Sequence, residues 1–200
     1  MQVTTGSDSA STIGFSNEGF WGFPVVKGWQ YNGSFYAQGG LDGNLTVFLV
    51  SNHDEVFVEA TVQMSSSEDW VKYDYILIPE HSAPNSNNTL NFTFAASDLS
   101  APVNFNLLSL FPPTYNDRPN GNRVDLMQAM DRLNPSFFRM PGGNNLEGFH
   151  PPYWWNWTNS IGLLKNRPGF PSFWAYEQTN GLGQSSLRSS TLGVRIANTL

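Results

Sequence analysis

Between Gly19 and Leu110 apolar side chains return at every second position, and that period decides what this part of the chain can become. Trp29, Tyr31, Phe35 and Ala37 fall on one side of an extended segment. Leu45, Val47 and Leu49 do so in the next, and Val56, Val58, Ala60 and Val62 in a third. Residues two apart share a face in a strand and not in a helix, so each run predicts a strand with one buried face. Shorter runs at Tyr73 to Ile78, Leu90 to Phe94 and Val103 to Leu108 repeat the pattern. Turn-forming stretches separate them, among them Gln38-Gly39-Gly40-Leu41-Asp42-Gly43 and Ala83-Pro84-Asn85-Ser86-Asn87. Asn32-Gly33 and Asp42-Gly43 are hairpin signals rather than ligands. Short strands at regular spacing predict an antiparallel β-sandwich.

After Leu110 the period changes. The segment from Phe111 to Gly121 carries three prolines and no periodicity, so the chain leaves the sandwich near Phe111. From Arg123 to Leu133 the apolar residues Leu126, Ala129, Met130 and Leu133 lie on one helical face, with Asn122 as the expected N-cap and Asn134-Pro135 as the stop. Next, Phe137-Phe138-Arg139-Met140 runs into Pro141-Gly142-Gly143-Asn144-Asn145-Leu146-Glu147-Gly148. Helix, turn, buried strand and glycine-rich loop form half of an α/β unit, and in (β/α) barrels the loop after each strand carries the chemistry. About 75 residues lie in this region, against ~250 in a complete barrel. The predicted fold is therefore mostly β: a polar tail at 1–13, a sandwich at 14–110, a partial (β/α)8 barrel at 111–183 and a divergent tail at 184–200.

Charge narrows the partners. Ten Lys plus Arg stand against sixteen Asp plus Glu, giving a net charge of -6, and the basic residues are scattered. That leaves no footprint for nucleic acid or an anionic membrane surface. No apolar run reaches the ~18 residues of a membrane span. A neutral, hydroxyl-bearing partner suits such a surface better. There is no cysteine, and His53, His81 and His150 are too far apart for a metal-binding spacing, so no metal and no cofactor is expected. Asn32, Asn44, Asn87, Asn91 and Asn156 each begin a glycosylation acceptor pattern, as in a secreted protein. Met1 to Thr12 has neither the basic start nor the apolar stretch of a signal peptide; the expectation is a cytosolic chain or a true start further upstream.

Five blocks point to a family. They are Leu110-Phe111-Pro112-Pro113-Thr114-Tyr115, Arg118-Pro119-Asn120-Gly121, Arg139 to Gly148, Trp157-Thr158-Asn159-Ser160-Ile161-Gly162 and Arg167-Pro168-Gly169. In this order they resemble segments of fungal α-L-arabinofuranosidases of glycoside hydrolase family 51. The resemblance runs from about Gly14 to Gly183. It implies that the β-rich region is a jelly-roll-like carbohydrate-binding module and that an intact relative releases terminal arabinofuranosyl units from arabinoxylan or arabinan with retention. Beyond Gly183 the pattern is lost, and a truncated or mis-spliced reading frame is one expectation.

Retaining hydrolysis needs two carboxyl groups about 5 Å apart, one an acid/base and one a nucleophile. The resemblance places both glutamates on barrel strands later than those this chain contains, so none of its residues is expected to be catalytic. Glu147 and Glu177 match neither position; each is a sugar contact or a solvated carboxylate. Asn144 corresponds to the family asparagine that hydrogen-bonds the arabinofuranose, and Trp174 to a tryptophan lining the pocket. Arg139 ends an apolar strand, where its fork is able to orient a carboxylate, bind hydroxyls or form a structural ion pair. Gly143, like Gly142, permits backbone approach to a ligand or simply makes a turn. Tyr153, Trp154, Trp155 and Trp157 offer rings for stacking on sugar faces or for packing. In the sandwich, Trp21, Trp29, Tyr31, Tyr36 and Trp70 present the same choice, with core membership the expectation for each. A stand-alone carbohydrate-binding module or a non-functional truncated product is the alternative reading.

Overall fold

The computed structural model describes residues 1–4, 11–19, 21–119 and 121–137, the isolated Thr158, Leu163 and Asn166, and the backbone of Val194 and Arg195. They divide between a compact unit of residues 1–132 with 193–200 and a second unit of residues 133–192.

The first unit is built from β1 (Gln2–Val3), β2 (Thr12–Asn17), β3 (Tyr31–Leu41), β4 (Gly43–Ser51), β5 (Val56–Met64), β6 (Ser67–Leu77), β7 (Asn88–Ala95), β8 (Leu99–Phe111) and β9 (Val194–Arg195). Two antiparallel sheets result, one in the order β1-β8-β3-β6 and the other β5-β4-β7-β2-β9. Among these strands only β4 and β5 form a hairpin; every other connection crosses from one sheet to the other.

The alternation sets which side chains meet between the sheets. Leu45, Val47 and Leu49 of β4 stand opposite Val62, Ala60 and Val58 of β5 and opposite Phe94, Phe92 and Leu90 of β7. From the other sheet, Tyr31, Phe35 and Ala37 of β3 are buried with Tyr75, Leu77, Val103 and Phe105. Rings bridge the two layers: Phe35 meets Phe92 edge-on at 5.9 Å, and Phe15 lies 4.9 Å from Phe105. Both separations suit the quadrupole preference for tilted contacts.

Two expected face members depart from the pattern. Val56 is 45% exposed because the β4–β5 register shifts between Leu49 and Val50, which turns Phe57 inward instead. Trp29 precedes β3 and is 40% exposed, although its ring lies 6.2 Å from that of Tyr31.

The turn expected at Gln38–Gly43 is shorter than its composition suggests, because β3 runs on through Leu41. Gly39 holds a φ of 131°, and a Cβ there would overlap the carbonyl of Pro102, so the strand continues as a bulge that glycine alone accommodates. Gly33 serves packing instead, since a Cβ would overlap the ring of Tyr75, its cross-strand partner.

That close approach has an electrostatic consequence. Tyr75 is 6% exposed and donates its hydroxyl to the carbonyl of Ser109 at 3.2 Å. Burial pushes its phenol well above the ordinary tyrosine value, and burial likewise raises Tyr31 against the opposing effect of the Val26 N–H. The unfolded chain loses these protons from about pH 10 while the folded chain keeps them. Stability is therefore complete below that pH and falls above it, at about 1.4 kcal/mol per pH unit for each retained proton. Urea midpoints measured from pH 8 to 12 should decline more shallowly in Tyr75→Phe than in the parent; identical slopes would remove Tyr75 from the account.

Beyond Phe111 the chain forms a tight hydrogen-bonded loop. The Thr114 hydroxyl donates to the Arg118 carbonyl at 2.7 Å, and the Tyr115 N–H donates to the Asn122 carbonyl at 2.9 Å. Helix α1 (Val124–Leu133) follows as expected, but the Met127 N–H bonds to the Arg123 carbonyl, so Arg123 and not Asn122 occupies the cap position. Asn134 ends the helix at φ 43°, the left-handed geometry asparagine tolerates, immediately before Pro135. The strand and glycine-rich loop expected at 137–148 lie outside the described residues apart from Phe137, as does the rest of the expected partial barrel apart from Thr158, Leu163 and Asn166.

Candidate functional site

Asn144, Trp174, Arg139 and Gly143, the four expected sugar-contacting residues, lie outside the described residues. So do Gly142, Glu147, Glu177, Tyr153, Trp154, Trp155 and Trp157. What the structure does describe is the approach to that region and the two outer faces of the sandwich.

The approach ends in α1, whose apolar stripe is uncovered: Leu126 is 54% exposed, Met130 41% and Leu133 78%. No residue of the helix is buried. An amphipathic helix of this kind is ordinarily stabilised by the layer its apolar face covers, because ten residues alone are marginal in water.

The sandwich aromatics separate cleanly. Tyr31 is 2% exposed; its hydroxyl donates to the Pro24 carbonyl at 2.7 Å and accepts the Val26 N–H at 3.0 Å, so it belongs to the core as expected. Trp21, Trp29 and Trp70 do not: they are 82%, 40% and 44% exposed. For Trp70 the reason is the alternation itself. Val71, Tyr73, Tyr75 and Leu77 take the inner face of β6, so Trp70, Lys72, Asp74 and Ile76 take the outer one. Lys72 and Asp74 pair with each other at 2.5 Å along that face.

Register extends this face across the sheet. Lys72 of β6, Tyr36 of β3 and Asn106 of β8 form one row, and Asp74, Ser34 and Ser109 the next. The hydroxyls of Ser34 and Ser109 lie 3.0 Å apart. Gln38 stands opposite Asn104 and donates its amide to the Glu68 carbonyl at 2.6 Å. Ile76, Asn32 and Phe111 complete the far end. The result is an amide- and hydroxyl-bearing surface with rings set into it and one internally neutralised ion pair. The charges at positions 72 and 74 already mark this outer face in the sequence, and that signal places Trp70 and Ile76 in solvent.

Comparison with known proteins bears on nearly the whole chain. A family model described as the alpha-L-arabinofuranosidase 1 domain matches residues 129–188. A probable alpha-L-arabinofuranosidase A of Aspergillus terreus is 39% identical over 179 residues, covering 88% of this chain and 28% of the relative. Alpha-L-arabinofuranosidase A of Aspergillus niger is 35% identical over 185 residues, covering 92% of this chain and 29% of its own length. A solved arabinose-bound MgGH51 α-L-arabinofuranosidase shares 38% identity at a TM-score of 0.81, covering 92% of this chain and 30% of that one. The chain thus spans under a third of the length of these relatives.

Proposed function

Because this chain belongs, as a segment, to the α-L-arabinofuranosidases of glycoside hydrolase family 51, we propose that it forms part of an enzyme removing non-reducing-end arabinofuranosyl units from arabinose-containing polysaccharides such as arabinoxylan or arabinan. The observation that carries this reading is the match to the arabinose-bound structure, in sequence and backbone together, along nearly the whole chain. In this reading residues 14–110 are the jelly-roll-like module and 111–183 the opening of a (β/α)8 barrel. The bare stripe of α1 supports that division, since a barrel helix lays such a stripe on the parallel sheet inside it.

The chemistry divides accordingly. Cleavage with retention takes a nucleophilic carboxylate and an acid/base carboxyl about 5 Å apart. Both are proposed to lie on parts of the relatives that this chain does not cover. Asn144 is assigned to hydrogen-bond the sugar hydroxyls, its amide both donating and accepting, with Trp174 as a wall of the pocket. Arg139 and Gly143 are assigned to orient and admit the ring. No cofactor enters such a reaction. The acceptor patterns for glycans favour a secreted enzyme.

The test is hydrolysis of an aryl α-L-arabinofuranoside. The 200-residue chain should show no turnover above background, whereas a chain extended to the relatives' full length should turn over at least 10⁶-fold faster than the uncatalysed reaction, the lower end of the enzymatic range. Turnover by the 200-residue chain itself, abolished by Glu147→Gln or Glu177→Gln, would show that the acid and base have been misplaced. In the extended protein, Asn144→Ala should lower kcat/KM by about tenfold or more, as the loss of a sugar hydrogen bond predicts.

A further inference from the structure

We propose that the edge of β6 joins two copies of this chain as a two-fold symmetric dimer. β6 ends the sheet β1-β8-β3-β6, and among the described residues no strand pairs with its far side. The outward N–H and C=O groups of such an edge are a template for another strand. The ladder with β3 is unbroken from Val71 to Leu77; the register shift comes only beyond Val71, where Glu68, Asp69 and Trp70 face the single Gln38. A regular edge therefore runs from about Trp70 to Leu77. Along it the outer face reads Trp70, Lys72, Asp74, Ile76, in chemical terms apolar, cationic, anionic, apolar. Trp70 and Ile76 are both exposed, where solvent alone favours charged side chains on a sheet edge.

That order is self-complementary in one register. A second β6 laid antiparallel, with the two-fold axis at Tyr73, sets Trp70 opposite Ile76 and Lys72 opposite Asp74, and the symmetry repeats both pairs. An aromatic ring facing a β-branched chain, and opposite charges facing each other, are the favourable cross-strand pairs. Slipping the strands by two residues centres them on Lys72 or Asp74 and opposes like charges; slipping by one sets the outer face of one copy against the inner face of the other. Within one copy Lys72 and Asp74 already neutralise each other, so the edge lacks the uncompensated charge that keeps strands apart. The axis residue points the same way. Tyr73 stacks at 5.4 Å on the fully buried Phe35, yet is itself only half-buried, because it stands on the last strand of its sheet. Tyr73 of the second copy covers it and carries the core across the edge. Such pairing uses both edges, so assembly stops at two. The proposal rests on β6 and not on the hydrolase reading.

Sedimentation of the 200-residue chain from low micromolar to near-millimolar concentration reads the proposal. The mass should rise from 22.3 kDa toward twice that value. Lys72→Glu and Asp74→Lys each oppose like charges twice across the axis, and each should weaken association by about tenfold or more. Mixed in equal amounts, these two variants should associate again, since each offers the charge the other lacks. Both positions are exposed, and circular dichroism establishes that each variant is folded. The β6 amides that point away from β3 should gain protection from hydrogen exchange as concentration rises. A parent that stays monomeric throughout would overturn the proposal, as would undiminished association of Lys72→Glu or a mixture that stays monomeric. Association lost in Leu133→Glu but kept in Lys72→Glu would overturn it in favour of the apolar stripe of α1. Full protection of those amides in the dilute monomer would overturn it in favour of a segment of the same chain lying on the edge.

Discussion

Replacing Phe35 by alanine should cost about 3–5 kcal/mol of unfolding free energy, the range for emptying a buried aromatic site. Phe35 is fully buried and its ring lies within 6.2 Å of four others: Tyr73, Tyr75, Phe92 and Phe105. Three of those contacts lie within its own sheet, with Tyr73 and Tyr75 of β6 and Phe105 of β8; Phe92 of β7 is reached from the facing layer. The cavity left by alanine therefore opens where β3, β6 and β8 of one layer meet β7 of the other, and no single side chain can swing in to fill it. Domains of this size are stable by only ~5–15 kcal/mol, so the variant should be close to unfolded in dilute urea. Trp70→Ala, which removes a larger but solvent-facing ring, should stay within about 0.5 kcal/mol of the parent. Urea titrations followed by tryptophan fluorescence compare the two. A Phe35→Ala penalty below about 1 kcal/mol would mean that the two sheets do not share the core described above.

The strands were legible because one face of each is buried. Leu45, Val47 and Leu49 recur with the period of a pleated strand, and no other structure buries residues so spaced. The bulges were not legible, because a register shift is a property of two strands far apart in the sequence. Leu107, at φ 50°, stands where two residues of β8 face one of β3, and its own neighbours give no sign of it. β1 and β2 escaped for a related reason: Gln2–Val3 is two residues long, and Thr12–Asn17 hides Phe15 and Ile13 among polar neighbours. Pairing with β8 and β7 makes them strands, not their own composition.

The candidate sites were legible to different degrees. For the sandwich face, the missing step was to carry alternation outward. Phe35 inward puts Tyr36 outward, and Tyr75 inward puts Ile76 outward, so the exposed set follows from the buried one. For the pocket residues, the resemblance and not the spacing named Asn144 and Trp174. A turn-forming asparagine and a sugar-binding one look alike in isolation, because the same amide serves both purposes. The stop at Asn134-Pro135 was clear because it acts locally, through backbone geometry alone.

Changing Asn88 to aspartate should destabilise the fold by about 3–5 kcal/mol at neutral pH, although the two side chains have nearly the same shape. Asn88 is 2% exposed and is the one buried polar side chain among the described residues. Its Nδ2 donates to the carbonyls of Phe23 at 2.7 Å and Asn85 at 2.8 Å, which ties the chain ahead of β3 to the start of β7. A carboxylate there has no proton to donate and faces two carbonyl oxygens, so two acceptors lose their donor and a charge is left buried. Protonation returns one donor and removes the charge, so the folded state raises the pKa of the new group above its unfolded value near 3.9. The sign follows: the destabilisation is smallest below about pH 4, grows as pH rises toward the raised folded value, and is complete above it. Asn88→Ala loses the same two bonds without burying a charge, and its cost should stay flat over that range. Thermal midpoints of the parent and both variants at pH 4, 5.5 and 7 separate the terms. Equal midpoints for Asn88→Asp and Asn88→Ala at pH 7, with no recovery of the aspartate variant on acidification, would show that this amide is not the donor holding the two segments together.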